Sequence, residues 1–454
     1  MKENKYVLPN KITSEDIKRV RRKLKFSQRE FAKFINVSKP TVERWESCEK
    51  EITGPICMII YMLDNDPNYL DRFFVPSKEL PLRLFYMYKD MVCTLIDVDE
   101  QKKIIKIKNF VDDPMYRAFG INEKPTFEDY KEFLKSRCFP ETRDKMKLML
   151  ANLDIPFYDP MLIIEKTKGR TAEDFFWIKM EAWFVVELFE GDIKNNELKS
   201  SKGNQLKWEN NPIWYKADYT GYEGLSEYVI SNLLLYSNLK KDEFVLYTPE
   251  TIVYKTQKYN GVKSNNFLKD DSQIITLERL FKNYFNQGLN KSIWSINNLQ
   301  DRLRFLVENV ERITKIEKFG EYMNQILTID AFFLNDDRHT NNIAVLLNGH
   351  DYAKCPIFDN GAGLLADTTM DYPLSGDIYE LIASVKGKTF STSLDVQLEV
   401  SELLYGENLK FSFSKHDVDR ILNSNEALIY PTEIRERVKN ILFEQMRKYR
   451  YLFK

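Results

Sequence analysis

Three kinds of apolar spacing divide the chain. Up to about residue 75, apolar side chains recur at the spacing a helix needs to bury one face. Ile17, Val20 and Leu24 form one such stripe behind Ser14-Glu15-Asp16, a sequence that can cap a helix. Ser27-Gln28-Arg29-Glu30 has capping-box spacing and opens a second helix with Phe31, Phe34 and Ile35 on one face. After the short turn Asn36-Val37-Ser38, Lys39 to Glu46 predicts a third helix. Pro40 falls in its first turn, where a missing N–H costs little, and Val42 and Trp45 turn inward.

Beyond the turn-rich stretches Asn65 to Asn68 and Val75 to Ser77, the spacing changes to that of strands. Leu82 to Tyr88, Met91 to Val98 and Lys103 to Phe110 are short runs rich in apolar and β-branched residues, and Phe175 to Met180 is another. Between them, Thr126 to Leu153 predicts helices. Arg137 to Pro140 and Glu165 to Arg170 read as solvated charged loops.

From residue 190 a polar, Gly203-containing loop (Glu197 to Trp208) precedes a strand, Ile213 to Ala217, with Lys216 among apolar neighbours. A helix from Leu225 to Tyr236 carries Glu227 near its start, and Asn260 to Leu268 reads as a further strand. After Leu277 helical spacing dominates through Leu334 and returns at Val438, Ile441, Leu442 and Met446. The predicted fold class is α+β: an all-α head, a mixed α/β segment and a mostly helical C-terminal part. The boundaries fall at 1–75, 80–190, 191–270 and 271–454.

Composition narrows the classes. A chain of 454 residues needs two or three domains, and 43% hydrophobic with 30% charged residues describes a soluble globular protein. No apolar run approaches a membrane span and the start, MKENKYVLPNK, has no signal-peptide core, so a cytoplasmic protein with no membrane partner is expected. Five cysteines without a CxxC pair argue against a disulfide framework or a zinc site, and His339, His350 and His416 are scattered. Residues 1–50 hold 14 Lys and Arg against 7 Asp and Glu, a net +7, which leaves −8 for the remainder of a chain of net charge −1. A basic head on an acidic body makes nucleic acid a candidate partner of the head alone.

The chemistry concentrates between Leu327 and Leu365. An apolar segment ends at Leu334, the polar run Asn335 to Asn342 follows, then apolar Ile343 to Leu347, a turn, and Ile357-Phe358-Asp359-Asn360-Gly361. Asp337 and Asn342 stand in a D-x-x-x-x-N spacing that lets a proton-accepting aspartate and a metal-binding asparagine converge. Asp359-x-Gly361 can supply the second metal ligand, with Gly allowing close backbone approach. The same pattern also suits an ordinary polar hairpin loop; the added Arg338-His339 and the hydrophobic-Asp-x-Gly run tip it towards phosphoryl transfer. Asp336 directly precedes Asp337, so the register of the base has two candidates.

N-D-D-R-H-T-N-N followed by P-I-F-D-N-G resembles the catalytic and metal-binding segments of the HipA-like serine/threonine kinases, in particular the CtkA-type branch. These are two-lobed kinases using ATP and Mg2+. The resemblance places Asp337 on the catalytic aspartate, Asn342 and Asp359 on the magnesium ligands, Lys216 on the nucleotide-binding lysine and Glu227 on its helix glutamate. It makes Ser201, Lys202 and Gly203 phosphate-loop residues, Ser200 and Ser201 candidates for autophosphorylation, and the stretch around Asn265 and Phe267 the adenine-facing hinge. The 80–190 segment then completes the N-lobe.

The head, F-S-Q-R-E-F-A-K-F-I-N-V-S-K-P-T-V-E-R-W-E, resembles the phage-repressor (XRE-like) helix-turn-helix class. By that resemblance Gln28 and Ser38 contact phosphates or flank the site, while Lys39, Thr41 and Arg44 face base edges. Together these imply a protein kinase with a Ser/Thr protein substrate, fused to a domain for an operator-like DNA site. They fit a toxin–antitoxin-like or transcription-linked regulator and allow a homodimer. The rivals are a transcriptional regulator whose kinase-like body binds nucleotide without turning it over, and a small-molecule or lipid kinase on the same scaffold.

Overall fold

In the computed structural model, residues 9–143, 146–180, 206–210, 212–254, 257–269 and 271–454 are described. The chain divides into two compact units, Met1–Glu79 and Leu80–Lys454.

In the first unit, side-chain caps fix where each helix begins. Thr13 caps α1 (Ser14–Lys23) and Ser27 caps α2 (Gln28–Phe34), each in a reciprocal capping box, and Ser38 caps α3 (Lys39–Glu46) by accepting from the Thr41 N–H. Each such cap contributes about 1 kcal/mol. A two-stranded ribbon, β1 (Lys11–Ile12) with β2 (Ile52–Thr53), brackets the three helices, and α4 (Ile56–Asn65) follows. Ile17, Val20, Phe31, Val42, Ile56 and Ile60 form the core. Buried Glu46 ties the helices together. It takes Arg21 Nε of α1 at 2.5 Å and Gln28 Nε2 of α2 at 2.7 Å.

The second unit opens with an antiparallel sheet of order β5-β4-β3-β6, built from β3 (Leu82–Tyr88), β4 (Met91–Asp99), β5 (Ile104–Asn109) and β6 (Phe176–Met180). Helices α5 (Phe127–Ser136), α6 (Met146–Asn152) and α7 (Pro160–Thr167) lie in the connection from β5 to β6. Here one expectation fails. Arg137 to Phe139 are not a solvated loop: Arg137 is 4% exposed, and Cys138 and Phe139 are buried with it. Its guanidinium grips Asp174 with two bonds of 2.8 and 2.9 Å, and Arg279 binds the same carboxylate at 2.6 Å. Burial alone would raise the Asp174 pKa, but the two guanidinium groups hold it well below the ordinary range.

A second antiparallel sheet, β7-β8-β10-β9, comprises β7 (Lys207–Asn210), β8 (Ile213–Ala217), β9 (Tyr247–Tyr254) and β10 (Gln257–Asn265). The buried helix α8 (Glu223–Leu234) packs on β9 and β10. A third sheet, β11-β12-β13, joins β11 (Ser272–Thr276) to the hairpin β12 (Ala344–Asn348) and β13 (Asp351–Lys354). Helices α9 (Leu277–Phe285), α10 (Leu289–Trp294), α11 (Leu299–Thr314) and α12 (Phe319–Phe333) come between β11 and β12. The chain ends in α13 (Ile378–Ser384), α14 (Leu394–Tyr405), α15 (Lys415–Leu422) and α16 (Thr432–Lys448). α12 is buried along nearly its whole length, packs on α14 and α11, and delivers the polar loop 335–342 into β12. No described helix is long and apolar enough to cross a membrane.

Candidate functional site

The site in the second unit is assembled from β8, α8 and the loops on either side of the β12–β13 hairpin. Lys216 on β8 reaches Glu227 Oε1 on α8 at 2.9 Å and Asp359 Oδ1 at 2.7 Å. Burial works against its charge, yet Asp359 and Glu227 together hold the ammonium well above its ordinary pKa. For Asp359, burial would raise the pKa, and Lys216, Lys207 and Arg338 outweigh it, so the carboxylate stays ionised far below its ordinary range. The other oxygen of Glu227 accepts the Asn360 N–H at 3.0 Å, so the lysine, the helix acid and the Asp359-Asn360 turn form one unit. Gly361 permits this approach: a Cβ there would stand 3.3 Å from the side chain of Glu223 and 3.4 Å from that of Glu227.

The loop 335–342 is fastened to the same unit by Arg338. Its Nε bonds both carboxylate oxygens of Asp330 in α12 at 3.1 Å, and its Nη1 donates to the carbonyls of Asn342 at 3.2 Å and Phe358 at 2.8 Å. Its Nη2 donates to Asn360 Oδ1. A buried arginine with this many acceptors is satisfied, and it fixes the loop and the Asp359 turn relative to each other. Asp337, half-exposed, projects from this frame; its Oδ1 pairs with Lys388 at 2.9 Å and its Oδ2 stands 4.0 Å from His339 Nε2. Asp336 instead accepts from Tyr372 at 2.5 Å, and burial raises its pKa. A cavity of about 360 Å³ opens beside the loop, lined by Glu278, Asn290, His339, Thr340, Asn341, Lys388 and Thr389.

The donor set fits a hard cation. Asn342 Nδ2 donates to the Asp337 carbonyl at 3.3 Å, which leaves its amide oxygen, with the Asp359 carboxylate, as groups that could hold a cation. The described residues contain no cluster of three or more His, Cys, Asp or Glu that could cage a metal. One carboxylate and one carbonyl suit magnesium, which completes its shell with phosphate oxygens and water.

In the first unit, α3 presents Lys39, Thr41 and Arg44. Residues 17–60 match the helix-turn-helix family model. The head is a helix-turn-helix domain. No curated protein matches the chain. Among solved structures, the chain is similar to the Helicobacter pylori proinflammatory kinase CtkA, at 18% identity over 54% of this chain and 90% of that one, with a TM-score of 0.39. It is also similar to the Shewanella oneidensis MR-1 toxin–antitoxin system HipA, HipB and its operator DNA complex. There the identity is 11% over 80% of this chain and 97% of that one, and the TM-score is 0.48.

Within the helix-turn-helix domain, Lys39 pairs with Glu43 at 2.7 Å and the Ser38 and Thr41 hydroxyls bond each other at 2.8 Å. Arg44 is exposed, with no ion pair among the described residues, and the Gln28 amide is turned towards Glu46. In the second unit, Phe267 lies against Phe358, the chain neighbour of Asp359, with ring centroids 6.2 Å apart and planes tilted by 34°; Asn265 is exposed at the end of β10. Ser200, Ser201, Lys202 and Gly203 lie outside the described residues.

Three residues of the site escape a reading of the sequence. Lys207 of β7 sits directly opposite Lys216 in the strand register, on the same face, and its charge acts on Asp359. The Asn211-Pro212 dipeptide, read as a hairpin turn, was the available signal. Arg338 had its motif position but no evident role as the frame of the site. Lys388 comes from the run Asp371 to Phe390, in which no chemistry is evident from sequence, yet it is bonded to Asp337.

Proposed function

We propose that the second unit is an ATP-dependent protein kinase acting on serine or threonine, joined to a helix-turn-helix domain that takes it to operator-like DNA. The observation that carries this reading is Lys216 bonded at once to Glu227 and Asp359, with Arg338 tying that trio to the Asp337–Asn342 loop. A kinase needs a lysine for the nucleotide phosphates, an acid to hold it, two oxygen ligands for the metal and a separate carboxylate for the acceptor. The residues around Lys216 and the 335–342 loop offer candidates for each of these roles.

Lys216, with Lys207 beside it, binds the β- and γ-phosphates and gives up Asp359 as it does so. Glu227 keeps the ammonium in place. Asn342 and Asp359 hold magnesium, which when bound neutralises phosphate charge. Asp337 orients the acceptor hydroxyl and takes its proton. Phe267, with the backbone from Asn265, lines the adenine side. Ser201, Lys202 and Gly203 stay the candidate phosphate-binding residues and Ser200 and Ser201 the candidate autophosphorylation sites, outside the described residues. The +7 charge of residues 1–50 and the helix-turn-helix domain favour double-stranded DNA as the partner of the head. A DNA-binding kinase of this kind suits a toxin–antitoxin-like or transcription-linked regulator.

The test is transfer of label from γ-labelled ATP, with magnesium, to the full-length protein itself and to added protein acceptors, with Asp337→Asn as control. Label on serine or threonine in the unmodified protein alone supports the kinase. Binding of ATP with no transfer to any acceptor would make the body a nucleotide-binding regulator.

A further inference from the structure

The geometry points to Lys388 as a positioning residue for the transfer step, an inference that rests on the kinase reading above. Its ammonium lies 2.9 Å from Oδ1 of Asp337, 51 residues earlier in the chain. An ion pair between two flexible, partly exposed side chains is by itself worth only about 0–1 kcal/mol. This one differs because the lysine is mounted on an anchored strap. Adjacent Thr389 is buried and its hydroxyl donates to the Arg338 carbonyl, on the loop that carries Asp337. Phe390 is fully buried and its carbonyl accepts Arg302 Nη1 at 2.7 Å. Gln397, 3% exposed, donates to the Ser391 carbonyl at 2.7 Å, and the Gly387 N–H closes on the Thr392 carbonyl at 3.0 Å. Gly387 has no room for a side chain, since a Cβ would stand 2.9 Å from the Ser391 carbonyl oxygen as well as meeting Gln397 Nε2.

The strap therefore sets the ammonium against one oxygen of Asp337 and leaves Oδ2 for the acceptor hydroxyl. Lys388 and Thr389 also line the cavity beside the loop, together with His339 and Thr340. In the transfer, a bond forms between the acceptor oxygen and the γ-phosphorus, and the bond from that phosphorus to the β–γ bridging oxygen breaks. The electron pair leaves with ADP and the hydroxyl proton passes to Asp337. Lys388, which also faces Asp336 and Asp371, keeps its place on the strap through this step and so holds the Asp337 carboxyl in register with the acceptor. A reacting group held in place in this way needs no reorganisation to reach the transfer geometry.

The experiment compares full-length Lys388→Met and Lys388→Arg with the unmodified protein, using magnesium-ATP with autophosphorylation and casein as readouts. The expected result for Lys388→Met is a fall in kcat of about 100-fold, the size of loss that a misplacement of about 1 Å at the reacting group can cause. The KM for ATP and the thermal midpoint should stay close to those of the unmodified protein, and Lys388→Arg should recover most of the rate. A Lys388→Met protein that transfers at the unmodified rate overturns the inference, and so does a loss that comes with a raised KM for ATP and no rescue by arginine. Absence of transfer by the unmodified protein would instead overturn the kinase reading, and this inference with it.

Discussion

The ammonium of Lys216 lies 2.7 Å from Oδ1 of Asp359, a residue 143 positions further along the chain. The contact spans β8 and the turn after β13, so the strand lysine and the proposed metal ligand neutralise each other when nothing else does. Nucleotide and metal would divide them, phosphates taking the lysine and the cation taking the carboxylate.

Lys216→Met should therefore cost stability as well as activity. It leaves Glu227, 2% exposed, and Asp359 without their shared cation, and breaking a buried pair in this way costs about 3–5 kcal/mol. Urea unfolding should show a lowered midpoint, and titration calorimetry should show no ATP binding. A Lys216→Met protein as stable as the original would mean that the two ion pairs contribute nothing to the fold.

The folding pattern was largely legible because its signals are local. The strands at Leu82–Tyr88 and Ile213–Ala217 and the capping boxes at Thr13 and Ser27 depend on neighbours a few residues away. The Arg137–Asp174–Arg279 cluster was not legible, since its partners are 37 and 105 residues apart and a charged tripeptide looks solvated until they arrive. The same limit hid part of the site. The D-x-x-x-x-N and D-x-G spacings single out Asp337, Asn342 and Asp359 as candidates, because their spacing is local. Lys207 depends on strand register, and Lys388 on a strap folded back from beyond the motif.

On the head, the ion pairing of α3 separates two lysine and arginine roles. Lys39 shares its charge with Glu43, whereas Arg44 has no such partner among the described residues. With duplexes selected from a random pool by the full-length protein, Arg44→Ala should weaken binding by about 1–3 kcal/mol and relax sequence preference. Lys39→Ala should cost less and act alike on all sequences. Equal losses on selected and random DNA for Arg44→Ala would assign it to the phosphate backbone.

Asp218, at the end of β8, gives a pH dependence whose sign follows from its surroundings. Burial, then the nearby Glu223 carboxylate, pushes its pKa up to about 7, although it accepts from the Gly224 N–H at 2.6 Å and from Tyr430 at 2.9 Å. The folded-state pKa is above the ordinary value of 3.8, so the folded protein holds this proton more tightly than the unfolded chain. Its contribution is fully present below about pH 4 and is lost as pH rises through about 7. Asp218→Asn should remove that loss, making the protein more stable at pH 8 by about 1–2 kcal/mol, with little change at pH 4. Denaturant midpoints at the two pH values measure it, and a parallel drop in both would show that the hydrogen bonds matter more than the charge.

The adjacent carboxylates Asp336 and Asp337 decide the register of the catalytic loop. Both belong to the polar run after α12, but the fold sends them to different partners. Asp336 is held by the Tyr372 hydroxyl and partly buried, while half-exposed Asp337 faces Lys388. An acceptor hydroxyl can approach Asp337 but would have to displace Tyr372 to reach Asp336. Asp337→Asn should therefore lose about 10²-fold or more in phosphoryl transfer while binding ATP nearly as before, since a base acts on the acceptor and not on the nucleotide. Asp336→Asn keeps an oxygen for Tyr372 and should retain most of the activity. Both rates can be read from initial transfer of γ-label, with ATP affinity measured separately by calorimetry. If Asp336→Asn is the inactive variant and Asp337→Asn the active one, the base is Asp336, and the ion pair at Asp337 serves only to fasten the strap at Lys388.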